Sequence, residues 1–370
     1  MIKQFFDKIR PNFEEGGKLH AFRSVFEGME TFMLVPNTTS KVGVSIHDAI
    51  DSKRIMSFVV IALIPALLFG MYNIGYQNAA AAGKLAETGF WSMFLYGFLL
   101  VLPKIVVSYV VGLGIEFAVA QWKKEEIQEG YLVSGILIPL IVPVNCPLWM
   151  LALAVAFSVI ICKEIFGGTG MNIFNPALIA RAFLFFSYPT SMSGDKVWVA
   201  GKEVFGLGYN LPDAATMATP LGEVGAGLQP TASLSDMIVG LIPGSIGETS
   251  VIAIAIGALI LLYTQIASIR TMTSVFVGGV LVAVLFNMAG MEGNAVANMP
   301  WYEHIVTGGF CFGAVFMATD PVTSSRTEKG QYVYGFLIGA LAILIRVLNP
   351  GYPEGMMLAI LFMNMFAPLI

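Results

Sequence analysis

The sequence predicts an all-α polytopic membrane protein of about ten transmembrane helices, arranged as two inverted five-helix repeats with broken helices. Composition is the first reason: 56% of the 370 residues are hydrophobic and 12% are charged, about half the charge of a soluble domain. The second is a series of apolar runs close to the ~20 residues that cross a hydrocarbon core of about 30 Å. The third is an internal echo. A Pro and Trp (Pro147, Trp149) open an apolar run that ends at Gly167-Gly168-Thr169-Gly170 and Asn175-Pro176; Pro300-Trp301 open another that ends at Thr319-Asp320-Pro321.

Residues 1–54 form a polar arm carrying Lys3, Lys8, Arg10, Lys18, Arg23, Lys41, Lys53 and Arg54. It has no basic stub followed by an apolar core, so no cleavable leader is expected. Its positive charge predicts a cytoplasmic location. The first repeat, 55–188, reads as spans at about 55–75, 91–119, 131–145, 147–162 and 172–188. The second, 249–370, reads as about 249–266, 273–289, 303–319, 332–347 and 355–370. The third, fourth and tenth runs are short, which predicts helices broken or buried within the bundle. Lys123, Lys124, Lys163, Arg270, Arg326 and Lys329 then fall on the side of the arm, against Lys84, Lys196, Lys202 and Arg346 opposite. That asymmetry predicts both termini inside and the 189–248 loop outside.

The two halves are separated by an odd number of spans, which inverts the second copy. Such repeats with interrupted helices are a transporter-like plan, with sites at the repeat interface. Asn175 and Asp320 read as N-caps with proline at the first helical position. At the first break Gly167, Gly168 and Gly170 permit close approach of a planar ring to the main chain, and Thr169, Asn172 and Asn175 supply donors and acceptors for a flavin or quinone. Unwound backbone at membrane depth persists only where it lines a cavity or is buried in protein. The other reading is an ordinary helix break. Arg181, just beyond, suits a reduced flavin or quinone anion, or free helix carbonyls. Phe183 and Phe185 are candidates for ring stacking on a quinone, although core packing accounts for them equally well.

Charges inside spans are costly and usually functional. Carboxylates are hard oxygen donors for a dehydrated cation, so Glu116 is the first Na+ candidate and Asp320 the second; Glu116 also lies near enough to Lys123 to be an interfacial residue. Cys146, Cys162 and Cys311 are widely spaced in or beside apolar runs, which predicts small buried hydrophobes and no iron–sulfur cluster. His20, His47 and His304 form no pair at metal-binding spacing.

The remaining signal is Asp213-Ala214-Ala215-Thr216-Met217-Ala218-Thr219-Pro220-Leu221 in the polar loop. A proline after Thr219 favours extended backbone there and removes the next amide donor. The same pair is a common N-cap and first helical residue. The run resembles the flavinylation motif Asp-x-x-Ser/Thr-Gly-Ala-Thr-x-Leu of redox-driven Na+ pumps, matching at Asp213, Thr216, Ala218, Thr219 and Leu221. Met217 departs from the motif's glycine. Further similarity runs through Gly16-Gly17-Lys18, Asp51-x-Lys53-Arg54-x-Met56, Gly70-Met71-Tyr72-Asn73, the 166–186 break, residues 242–248, Met317-Ala318-Thr319-Asp320-Pro321-Val322 and the stretch after Arg346. The chain thus resembles the B-type membrane subunits of Na+-translocating NADH:quinone reductases, with the D-type subunits of ferredoxin-linked Rnf complexes the close alternative.

This resemblance implies FMN bound to Thr219 as a phosphoester, riboflavin near Gly168, Thr169, Asn172 and Asn175, quinone as substrate and Na+ as cargo. It implies residence in a bacterial inner membrane with the flavinylated loop periplasmic. Implied partners are an external FMN-bearing subunit, an NADH- and iron–sulfur-bearing subunit and a flavin transferase; no nucleic acid is expected. The family's chains usually continue past the position of Ile370 with an acidic residue and a basic tail, so a truncated C-terminus is expected. A passive channel or transporter of inverted-repeat architecture shares the hydropathy plan and stays open at this point.

Overall fold

The structure is a computed structural model and describes residues 2–13, 17, 23, 26, 30, 34, 43, 52–123, 130–212, 217–349 and 354–370. Among these it is helical, with one isolated bridge between Val204 and Leu207 and no strand. Four helices are long and apolar enough to cross a membrane: 54–81, Phe90–Lys123, Ile269–Ala289 and Glu328–Leu348. The other apolar runs appear as the helices Tyr131–Leu140, Leu148–Phe157, Pro176–Ser187, Val251–Tyr263, Trp301–Val306 and Met356–Phe366. Their starts follow local chemistry. Ser250, Ser268 and Thr327 each accept a backbone N–H three residues on, at 3.2, 3.4 and 2.9 Å, satisfying amides that a helix start otherwise leaves unpaired.

Glycine brings the long helices together. A Cβ on Gly75 would collide with the backbone of Met93, and one on Gly97 with that of Met71, so the Ser52–Ala81 and Phe90–Lys123 helices touch main chain to main chain. Gly278 against Phe336 and Gly339 against Val275 do the same for Ile269–Ala289 and Glu328–Leu348. Lipid provides no hydrophobic drive for helix association, so this closeness, with its dispersion contacts, is what holds such pairs. The short Tyr131–Leu140 helix lies in the interior, with every residue from Gly135 to Leu140 buried, as its length predicts.

Both echo segments end in a wide turn. Ile165 N–H donates to Ile160 O at 3.1 Å and Ala318 N–H to Gly313 O at 2.8 Å, the five-residue spacing of a π-turn, a feature common at functional sites. Beyond the first, Asn175 caps Pro176–Ser187 as expected, accepting from Ala177 and Leu178 N–H at 2.9 and 3.3 Å. Asp320 differs from the reading. It accepts from Val322 N–H and Thr323 Oγ at 3.0 Å each, but residues 321–324 form a turn and the next helix starts at Glu328. The run Thr323-Ser324-Ser325 offers hydroxyls that compete with helix bonds. The 303–319 span is likewise not continuous, because Gly308 and Gly309 take φ of 64° and 68° and break it after Val306.

Two cations read as loop charges are interior. Lys163 pairs with Glu116, both side chains 4% exposed. Arg346 is 1% exposed and donates to the carbonyls of His304 at 2.6 Å and Thr307 at 3.2 Å, so it satisfies the broken end of Trp301–Val306 where the helix dipole is negative. The three cysteines are free and buried, in agreement with their reading as small hydrophobes. Replacing Gly339 with Val forces the two long helices of the second half apart. Overpacking of this kind costs about 1–3 kcal/mol, and reversible unfolding of the purified protein in mixed micelles should register a loss of that size, whereas Gly114→Val, where a Cβ meets nothing within 4 Å, should leave stability nearly unchanged.

Candidate functional site

The two breaks meet. Asn175 Nδ2 donates to Asp320 Oδ2 at 3.0 Å across 145 residues of sequence. Around this contact lies a cleft lined on its polar side by Lys163, Thr169, Asn172, Asn175, Thr319 and Asp320, with Val59, Val133, Leu137 and Phe316 among its apolar walls. Gly167, Gly168 and Gly170 hold φ of 111°, 94° and 90°, which side chains rarely adopt, and this turn carries Thr169 to the rim. Asn172, 8% exposed, donates Nδ2 to Phe174 O at 2.9 Å. Its carbonyl oxygen and second N–H remain for a ligand. Asn175 has less to offer, since its oxygen caps the helix and one N–H serves Asp320. The sequence-predicted residues Gly168, Thr169, Asn172, Asn175 and Asp320 therefore converge, and the donor set with apolar walls suits a planar tricyclic ring.

Glu116 is no interfacial residue. Lys123 pairs instead with Glu164 at 3.7 Å, while Glu116 is held inside by Lys163 and keeps Oε2 buried with no hydrogen-bond partner among the described residues. Lys163 is the neighbour that sequence reasoning missed, because a lysine beside a glycine-rich break reads as a loop charge. Lys104 was missed too. It sits within Phe90–Lys123, 5% exposed, and donates to Cys146 O at 2.8 Å.

A second cleft gathers Thr219, Arg181, Trp198, Glu248, Gly308, Gly309 and Glu354. Thr219 is half-buried and caps the short Pro220–Gly225 helix, its Oγ accepting from Gly222 N–H at 3.1 Å. The hydroxyl proton is still free to be replaced, so the cap and the attachment reading are compatible. Ala218 adjoins it, and Met217, half-buried, donates its N–H to Asp195 O at 3.1 Å. Asp213 and Thr216 lie outside the described residues. Opposite, a Cβ on Gly308 would strike Arg346 and Leu221, and one on Gly309 would strike Glu248, so main chain itself forms that wall.

Arg181 belongs to this second cleft and not to the Asn172 break. Six helical residues past Asn175, about 9 Å along the axis, its guanidinium bonds Glu248 Oε1 and Glu354 Oε2 at 2.5 Å each and Ser245 Oγ at 3.3 Å. Glu248 and Glu354 carry no signal in the sequence because each sits at the edge of a polar stretch. Phe183 stacks on Phe157 at 4.6 Å between centroids and Phe185 meets Phe186 edge-on; neither lines either of these two clefts. Among the described residues no group of three metal-ligating side chains occurs.

Comparison with known proteins follows this geometry. The sequence profile of the NQR2, RnfD, RnfE family matches residues 39–370. The chain belongs to this family. It is 45% identical to a protein of Chromohalobacter salexigens, the match covering all of this chain and 93% of the relative. Identity is 43% to one of Pseudoalteromonas atlantica and 42% to one of Neisseria meningitidis serogroup B, covering all of this chain and 95% of each. All three relatives are described as the B-type subunit of a Na(+)-translocating NADH-quinone reductase.

The buried Arg181 triad sets a measurable expectation for this member of the family. Removing the Arg181 guanidinium from between the Glu248 and Glu354 carboxylates, 8% and 18% exposed, leaves largely buried charge uncompensated, which typically costs about 3–5 kcal/mol. Arg181→Met should lose that much in a chemical unfolding titration, while Arg270→Met, whose partner Glu328 is 77% exposed, should lose less than about 1 kcal/mol.

Proposed function

We propose that this protein is the B-type membrane subunit of a Na+-translocating NADH:quinone reductase, and so part of an oxidoreductase complex. The observation that carries the reading is the full-length similarity to subunits of that description. The convergence of Thr169, Asn172, Asn175 and Asp320 on one cleft and of Thr219 and Arg181 on another gives further support. The division into a cytoplasmic arm (1–54), inverted repeats (55–188 and 249–370) and a periplasmic loop (189–248) belongs to this proposal, as does location in the bacterial inner membrane.

Within it, the Thr219 hydroxyl is the attachment point for FMN through a phosphoester, and the Asn172 cleft holds riboflavin. A flavin supplies exchange between one-electron and two-electron carriers. The chain's own residues bind and orient. The Gly167–Gly170 turn admits a flat ring against main chain, Asn172 offers both an acceptor and a donor to ring carbonyl and imide groups, and Asp320 fixes the Asn175 amide so that the helix start stays formed. In the second cleft Gly308 and Gly309 let main chain close against Arg346, Leu221 and Glu248, and Arg181 contributes positive charge already shared between Glu248 and Glu354. Glu116 and Asp320 are the carboxylates we assign to the Na+ path. Electrons would come from partner subunits, an external FMN carrier and an NADH-oxidising iron–sulfur subunit, and leave to quinone.

Two measurements test these roles. Thr219→Ala should remove flavin mass from the 189–248 peptides in tandem mass spectrometry and abolish in-gel ultraviolet fluorescence of the denatured band, with the helical bundle still assembled. Retained flavin in that variant would exclude Thr219. Asn172→Ala should weaken retention of acid-extractable riboflavin about 5- to 150-fold, the consequence of a lost ligand hydrogen bond worth about 1–3 kcal/mol, with covalent flavin on Thr219 unchanged. Full riboflavin content together with normal quinone reduction would leave the Asn172 cleft without this role.

A further inference from the structure

We propose that the Lys163 ammonium is a tethered counter-ion at a monovalent-cation site built on Glu116, and that it moves from the carboxylate to the neighbouring cleft when the cation binds. The inference rests on the assignment of Glu116 to the cation path and adds the device that regulates it.

Four observations meet here. Glu116 and Lys163 pair with both side chains 4% exposed, so the charges are withdrawn from water. One carboxylate oxygen, Oε2, is buried without a hydrogen-bond partner among the described residues. A purely structural ion pair in a low-dielectric interior is stable only when its remaining lone pairs are satisfied, and this one stays half-satisfied. Lys163 also lines the cleft that holds Asp320, Thr169 and Asn172, so its flexible four-carbon stem lies between two destinations. Finally, it sits in the Ser158–Glu164 π-turn, whose looser bonding suits a change of local geometry.

Hydroxyl oxygens lie further back along the buried face of the helix that carries Glu116. One turn back on the same buried stripe, Gly112 leaves room for the Tyr131 ring, whose hydroxyl bonds Ser108 a further turn back. Hard oxygen donors favour a small alkali cation over softer ions. Exchange of the ammonium for Na+ leaves the charge at Glu116 unchanged and delivers one positive charge to the cleft. Besides Glu116, the charged groups near Lys163 among the described residues are Glu164, already paired with Lys123, and Asp320. A negatively charged ligand in the cleft therefore raises cation affinity at Glu116, and by linkage the cation raises affinity for that ligand by the same factor.

The test uses the purified, assembled complex and follows its thermal midpoint against NaCl, with choline chloride holding ionic strength constant. The Glu116-dependent part of the Na+ response is the difference between the unaltered complex and Glu116→Gln. Lys163→Met removes the competing ammonium and should lower the Na+ concentration at half-response by on the order of tenfold, within the usual range for coupled sites. Lys163→Arg keeps the charge but presents a planar fork to both carboxylate oxygens, and should raise it by a similar factor. Lys163→Arg preserves the ion pair, so it reports even if the methionine variant does not assemble. Unchanged midpoints in both variants, or shifts of the same sign, would overturn the counter-ion role while leaving Glu116 as a cation ligand. If Glu116→Gln itself leaves the Na+ response intact, the cation assignment of Glu116 fails, and the counter-ion role with it.

Discussion

Backbone that leaves the helix inside a membrane has no water to turn to, and most of the interior of this protein is organised by that constraint. Each half is interrupted where its apolar run ends, and each interruption is repaired by a side chain from a distant part of the chain. Asp320 receives the Asn175 amide, which in turn holds the start of Pro176–Ser187. Arg346 reaches from Glu328–Leu348 into the carbonyls released at Trp301–Val306. Neither repair is local. The breaks are tolerable because the bundle closes around them, and the bundle closes because glycines let its long helices touch main chain to main chain.

The two clefts follow from the same constraint. A break that is buried but not filled leaves a hollow rimmed by polar main chain, and proline-capped or glycine-turned segments keep those polar groups fixed. In the first cleft the polar rim is neutral apart from Lys163 and Asp320, while its walls are apolar. In the second, Arg181 balances two carboxylates beside the half-buried hydroxyl of Thr219. Arg181 lies about 9 Å beyond Asn175 along one helix, so a single helix contributes to both clefts.

Membership of the NQR2, RnfD, RnfE family gives these hollows a common purpose under the proposed function: one ligand tethered and one merely held, with a cation path near the second. The electrostatics of the interior are compatible with that division. Buried charge is paired or bonded at Lys104, Lys163, Arg181 and Arg346. Glu116 keeps a buried oxygen without a hydrogen-bond partner among the described residues, and it faces a lysine that also borders the first cleft.

Much of the architecture was legible in the sequence because the signals are local or compositional. Apolar run length located most of the helices, the short third run announced a buried helix, and Asn175-Pro176 announced its own cap. Thr169, Asn172 and Asn175 were legible as a group because a glycine turn binds them within seven residues. Other features were decided only by tertiary structure. Hydropathy places Lys163 and Arg346 at the ends of runs and cannot tell a loop charge from a buried one. The distinction depends on whether Glu116, 47 residues away, or the carbonyls after His304, 42 residues away, lie within reach. Arg181 was read with the 166–176 break and not with Glu248 and Glu354 for the same reason, since both are distant in sequence. Asp320 was misread as a helix cap because serine and threonine that follow it compete for the same bonds. Local chemistry determines where a membrane helix starts, stops and breaks; long-range packing alone determines which charge answers which, because in lipid a charge is satisfied by whatever partner the fold brings within hydrogen-bond distance.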